Sequence, residues 1–178
     1  MDMVLSEHFW NKVRGYVRSG NRVAELYHGE KDDVLRGLAE IVSDKGIVYG
    51  VDHLNPFERH DNMRELQKLS NVRLLNASIP PLPAEVSNLD AVLIREFIWT
   101  YPLPYNGSEN PKTYEAIDTA VNVGGHLILH LNSTEQKNER GKHPMYQGTM
   151  NRQLPHFQKV YDSEDLMVYQ KTSSRASD

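Results

Sequence analysis

Short apolar runs that recur with a helix's length between them constrain this chain more than any other feature. Arg22 to Leu26, Ile47 to Asp52, Val72 to Asn76, Leu89 to Ile98 and His126 to Leu131 are too short for buried helices and mostly β-branched or leucine-rich, so they read as strands. Between them the apolar residues return at helical spacing. Val34, Leu35, Leu38, Ala39, Ile41 and Val42 form one such face, which Asp32 or Asp33 can cap. Met63, Leu66 and Leu69 mark a second. Tyr114, Ile117, Ala120 and Val121 mark a third, with Asn110 as its cap and Gly124-Gly125 as its stop. Pro111 falls in that helix's first turn, where the missing N–H costs nothing. Ahead of the first strand, Phe9, Trp10, Val13, Tyr16 and Val17 predict an amphipathic helix over about residues 5–18.

Strands alternating with helices imply right-handed crossovers and a parallel sheet covered on both faces. The ending departs from this rhythm. Phe157 to Tyr161 and Leu166 to Gln170 are joined by Asp162-Ser163-Glu164-Asp165 alone, a link that permits only an antiparallel hairpin. The expected fold is therefore α/β: a three-layer, doubly wound sheet of about seven strands, mostly parallel, closed by a C-terminal antiparallel hairpin. One domain is expected over residues 1–171, with 172–178 a polar, disordered tail.

A chain of 178 residues suits one domain, burying roughly 70% of its unfolded-chain surface. Its net charge is -4. That argues against a nucleic-acid binder held by general electrostatics, because phosphate affinity needs a concentrated basic surface. Lys12, Arg14, Arg18 and Arg22 are read as a solvated helix face. Cysteine is absent, which excludes disulfides, thiolate nucleophiles and Cys-zinc sites. No signal-peptide pattern opens the chain, and no apolar stretch approaches the roughly 20 residues needed to cross a bilayer. A soluble, cytoplasmic protein is expected, with no membrane association. The histidines show no ligand spacing, so no metal is expected. Gly-x-Ser-x-Gly and P-loop motifs are also absent.

Several segments, in this order, resemble class I S-adenosylmethionine-dependent methyltransferases over about Trp10 to Lys171. VRSGNRVAEL is similar to the family's helix, turn and first strand ending on an acid. GIVYGVD resembles its second strand, with the ribose-binding acid at Asp52. NVRLLNASIPPLP resembles the segment where Asp-Ala precedes Leu-Pro, with Asn76-Ala77 here. LDAVLIREFIWTYP matches the fourth strand and its loop, and AIDTAVNVGGHLIL the entry into the fifth.

The resemblance implies S-adenosyl-L-methionine as cofactor, bound beyond the carboxyl ends of the strands where strand order switches. Glu25, Tyr27, Gly29, Asp52, Asn76, Ala77 and Arg95 are then the candidate cofactor residues. Asp52 would accept from the ribose hydroxyls, and Asn76 would offer its side-chain carbonyl to the adenine amino group. The first turn, VAELYHGEKDD, departs from the family's acid-x-Gly-x-Gly-x-Gly. Glu25 fills the acid, but Tyr27 and Lys31 replace the first and third glycines and only Gly29 remains. Two alternatives follow: a rebuilt loop in which Glu25 holds the amino group and Tyr27 or Lys31 meets the carboxylate, or a decayed site.

Acceptor chemistry belongs beyond strands four and five. Glu96, Tyr101 and His130 are the candidate catalytic residues, with Trp99 and Tyr105 as further pocket walls. The loop over residues 132–155 is a candidate lid. No Asn/Asp-Pro-Pro-Tyr/Phe motif is present, which argues against methylation of a nucleobase amine. The function expected is methyl transfer to a small-molecule or unassigned acceptor. The alternative is a catalytically inactive scaffold or binding subunit, and the partner is then a protein, a further copy of this chain included.

Overall fold

Each apolar run becomes a strand and each helical stripe a helix. The computed structural model describes residues 5–29, 31–53, 61–95, 111–130, 154–163 and 165–174. In chain order these form α1 (Glu7–Tyr16), β1 (Arg22–Leu26), α2 (Asp33–Val42), β2 (Ile47–Asp52), α3 (Asp61–Gln67) and β3 (Val72–Asn76). Then come β4 (Leu89–Arg95), α4 (Pro111–Ala120), β5 (Val121–His130), β6 (Phe157–Asp162) and β7 (Leu166–Lys171). The seven strands make one sheet in the order β3-β2-β1-β4-β5-β7-β6. Neighbours from β3 across to β5 are parallel, and β7 runs antiparallel to both β5 and β6. This is the expected mostly parallel sheet with a closing hairpin.

Two apolar cores give the three layers. On one face α1, α2 and α3 bury Phe9, Val13, Leu35, Leu38, Met63 and Leu66 against the sheet. On the other, Tyr114 and Ile117 of α4 pack with Val86, Leu154 and the opposite side of the strands. Ser6 caps α1 by accepting from the Phe9 amide at 3.2 Å.

Two helix boundaries differ from expectation. Asp32 occupies the cap position of α2 but makes no capping bond. Its carboxylate instead accepts from Arg36 at 2.7 Å and from Asn62 at 3.1 Å, reaching toward α3. The fourth helix stops at Ala120, before Gly124-Gly125, and Val121 already lies in β5. The reason is a cap supplied from far along the chain. Buried Lys171 of β7 donates to the carbonyl of Asp118 in the helix's last turn and to that of Val121 just beyond it, and pairs with the Asp118 carboxylate. His156 Nδ1, 2.6 Å from Asp118 Oδ2, completes the group. Asn110, residues 96–98, Leu131, most of the 132–155 loop and residues 175–178 lie outside the described residues.

Two glycines test the packing of the first layer. A Cβ on Gly37 of α2 would stand 2.3 Å from Trp10 Cη2, whereas one on Gly15 of α1 meets nothing within 4 Å. Helical Gly→Ala alone adds about 0.5–1 kcal/mol of stability, while forcing volume into a packed site costs about 1–3 kcal/mol. Urea unfolding is therefore expected to move in opposite directions: Gly15→Ala raises the midpoint and Gly37→Ala lowers it. Equal shifts in both would show that α2 does not rest on Trp10.

Candidate functional site

At the carboxyl edge β1 leads to α2 on one face of the sheet while β4 leads toward α4 on the other. Neighbouring strands whose connections diverge in this way open a crevice between them. The register sets the candidates level with one another: Leu26 pairs with Val51 and Ile94, and Asp52 with Asn76.

The turn after β1 carries an unusual backbone. Tyr27 has φ 60° and Gly29 φ 61°, so the left-handed conformation occupies both of the first two glycine positions. For tyrosine this costs on the order of 1–3 kcal/mol unless the surroundings hold it. They do so from both ends of the residue. The Tyr27 amide donates to the Val51 carbonyl at 2.9 Å, and its phenol donates to the Ile79 carbonyl at 3.3 Å. The ring is thereby folded onto the crossover between β3 and β4. Burial pushes the phenol up to about 12, so it keeps the proton it donates.

His28, 3% exposed, sits beneath the turn with Nδ1 2.8 Å from the Gly29 carbonyl. A carbonyl only accepts, so Nδ1 carries the proton, and Nε2 is left buried without a hydrogen-bond partner. Burial lowers the proton affinity of this imidazole and keeps it neutral. The ring fits because position 50 has no side chain: a Cβ there would lie 2.8 Å from Leu74 Cδ2, 2.9 Å from Leu35 Cδ1 and 3.2 Å from His28 Cδ2.

Asp52 ends β2 buried, with Oδ2 accepting from the Gly29 amide at 2.9 Å. His53 Nδ1 stands 3.1 Å from Oδ1, and this ring is 43% exposed. The Asp52 carbonyl accepts from the Ala77 amide at 2.9 Å, which brings the start of the β3–β4 crossover against the end of β2. Asn76 is exposed at that edge.

Glu25 and Arg95 are buried in the crevice alongside Asp52 and pair with one another. Arg95 Nε and Nη2 both donate to Glu25 Oε1, at 3.2 and 2.9 Å, and Nη1 donates to Asp33 Oδ1 in the first turn of α2. The Arg95 and Glu25 side chains are 6% and 0% exposed. Burial pushes the Glu25 carboxyl up to about 7, outweighing the guanidinium that pulls it down. Removing one partner of such a pair costs about 3–5 kcal/mol, because the other charge is left buried alone.

The structure thus gathers Glu25, Tyr27, Gly29, Asp52, Asn76, Ala77 and Arg95 at one edge. His130 ends β5 in register with Arg95 and packs its ring edge-on against Phe9, centroids 4.9 Å apart. Glu96, Trp99, Tyr101 and Tyr105 lie outside the described residues. Sequence reasoning did not single out His28, and it read Asp33 only as a cap. Their partners are set by packing, and Asp33 stands 62 residues from the arginine it binds. Among the described residues no three His, Asp or Glu side chains converge to hold a metal ion, and no helix is long and apolar enough to cross a membrane.

No family model matches the chain, and no curated protein matches it by sequence. Solved structures do match. A SAM-dependent methyltransferase from Aquifex aeolicus superposes with TM-score 0.66 at 18% identity, over 92% of this chain and 88% of the other. A SAM-dependent O-methyltransferase from Thermotoga maritima gives 0.63 at 14% identity, over 99% and 69%. Aeropyrum pernix fibrillarin, crystallised with natively bound S-adenosyl-L-methionine, gives 0.60 at 13% identity, over 92% and 74%. This chain has the class I methyltransferase fold.

The raised carboxyl of Glu25 has a sign that can be checked. Glu25 titrates near 4.5 when unfolded and near 7 when folded, so the stability it contributes is full below 4.5 and lost as pH rises through 7. Glu25→Gln, which cannot ionise, is expected to gain on the wild type across that interval by on the order of 2–3 kcal/mol. Urea unfolding at a series of pH values reads the difference. A constant gap from pH 4.5 to 8 would mean that Glu25 ionises normally.

Proposed function

We propose that this chain binds S-adenosylmethionine at the carboxyl edge of β1, β2 and β3 and transfers its methyl group to an acceptor entering beyond β4. The observation that carries this reading is the turn after β1. Its backbone stays left-handed at Tyr27, where no glycine remains, and its Gly29 amide fixes the Asp52 carboxylate. Strain of this kind persists only where the surroundings over-determine it, and it concentrates at functional sites. The same fold holds S-adenosyl-L-methionine in a fibrillarin.

In this reading Asp52 takes the ribose hydroxyls once the His53 ring moves aside, and Gly29 lets the backbone approach the ligand. Asn76 meets the adenine amino group with its side-chain carbonyl, beside Ala77. The cofactor supplies an electrophilic methyl on a sulfonium. The chain's own task is to hold the acceptor in line, which by itself can supply much of the acceleration. A dedicated base is unnecessary for an acceptor that is already nucleophilic. Glu96, Tyr101 and His130 are the candidates where one is needed. The acceptor class favoured is a small molecule, in a cytoplasmic setting.

A second reading, a binding subunit without turnover, is favoured by the Arg95–Glu25 pair, which occupies the acid expected at the methionine end. Calorimetric titration with S-adenosylmethionine and, separately, S-adenosylhomocysteine tests both. Micromolar binding is expected, and Asp52→Ala is expected to weaken it by about tenfold or more with the circular dichroism unchanged. No heat and no thermal stabilisation at millimolar ligand would replace the cofactor site with the scaffold reading.

A further inference from the structure

Successive hydrogen bonds hold the turn after β1, and the imidazole of His28 supplies the last of them. The Tyr27 amide donates to the Val51 carbonyl at 2.9 Å, and the Gly29 amide to Asp52 Oδ2 at 2.9 Å. The Gly29 carbonyl then meets His28 Nδ1 at 2.8 Å. The last two bonds act on one residue from its two sides. A glycine takes either sign of φ with ease, and Gly29 is kept at φ 61° by fixing its amide at one end and its carbonyl at the other. His28 can serve as an anchor because packing locks its own ring: it is buried, beside Gly50, with Leu35 and Leu74 around the same space. A carbonyl only accepts, so the bond exists only with the proton on Nδ1, and the fold thereby selects one of the two neutral tautomers. The consequence falls on Asp52. Its Oδ2 is taken by the Gly29 amide, so the oxygen turned outward is Oδ1, which the exposed ring of His53 meets at 3.1 Å. With Gly29 free to turn, the carboxylate would lose the donor that distinguishes its two oxygens.

We propose that His28 is a positioning residue for the cofactor: its Nδ1–H fixes the Gly29 carbonyl, which keeps the Gly29 amide on Asp52 Oδ2 and leaves Oδ1 to receive the ribose hydroxyls. The inference rests on the reading of this edge as a binding site for S-adenosylmethionine. His28 acts only through Gly29 and Asp52. Its role belongs to one ring nitrogen and not to the volume of the ring, which separates it from packing. Asparagine places its amide nitrogen where the imidazole has Nδ1, whereas glutamine reaches to where the imidazole has Nε2. Glutamine is the closer to histidine in size. Space filling therefore ranks Gln above Asn, and positioning ranks Asn above Gln.

The experiment is NMR and calorimetry on the wild type, His28→Asn, His28→Gln and His28→Ala. Long-range proton–nitrogen correlation spectra of the wild-type imidazole at about pH 8 should show Nδ1 protonated and Nε2 bare. A proton on Nε2 alone overturns the proposal, and this measurement decides even if a variant fails to fold. The Gly29 amide should exchange slowly with solvent in the wild type and His28→Asn, and about fivefold faster in His28→Gln and His28→Ala. Titration with S-adenosylhomocysteine should place His28→Asn within about twofold of the wild type, with His28→Gln and His28→Ala weaker by about fivefold. His28→Gln binding as well as His28→Asn, or better, would reduce His28 to packing and overturn the proposal. If the wild type itself binds no S-adenosylhomocysteine, the cofactor reading of this edge is wrong and this inference falls with it. If the wild type binds and every folded variant binds equally well, the site stands and only the role of His28 fails.

Discussion

A guanidinium buried between two carboxylates holds together the edge on which everything else is built. Arg95 reaches from the end of β4 to Glu25 on β1 and to Asp33 at the start of α2, the elements whose divergence opens the crevice. Such a network adds little net stability over well-packed apolar residues, because desolvating the charges offsets most of their attraction. What it supplies is geometry, since any arrangement that separates the partners leaves a charge buried alone. Burial raises the Glu25 carboxyl toward neutrality against the pull of Arg95, so the cluster stays near the balance between its two protonation states.

The turn above that network follows the same logic on the backbone. Tyr27 is kept left-handed by an amide bond to β2 and a phenol bond to the β3–β4 crossover. Gly29 hands its amide to Asp52, and His28 packs with Leu74 and Leu35 around the space that a side chain at Gly50 would take. Each contact ties the turn to a different strand. A loop with one glycine, at Gly29, therefore holds its left-handed backbone at Tyr27 by packing instead of by intrinsic freedom.

Strands were the part of this structure most open to reading in advance. β1, β2 and β3 span the residues that their short, mostly apolar runs mark in the sequence. Helix ends were less legible. Val121 belongs to a buried helical face and to a buried strand alike, so periodicity could not divide α4 from β5, and the deciding cap, Lys171, lies 50 residues away. Asp32 has the right side chain and position for a cap, yet Arg36 and Asn62 claim its carboxylate. The strand-end candidates Glu25, Asp52, Asn76 and Arg95 were legible because strand order places them on one edge. Their pairing was not.

By itself the sequence determined the alternation of strands and helices, the closing hairpin, the parallel sheet with two covered faces, and the edge where its polar strand ends gather. Those follow from patterns only a few residues long, in which burial and backbone geometry act on neighbours. Tertiary structure alone decided that Glu25 belongs to Arg95, that Asp52 is oriented by Gly29, and that Tyr27 turns away toward Ile79. Those contacts join residues 70, 23 and 52 positions apart. A charge or a donor in a chain has many possible partners, and only the packed interior, where an unpaired polar group is costly, selects one.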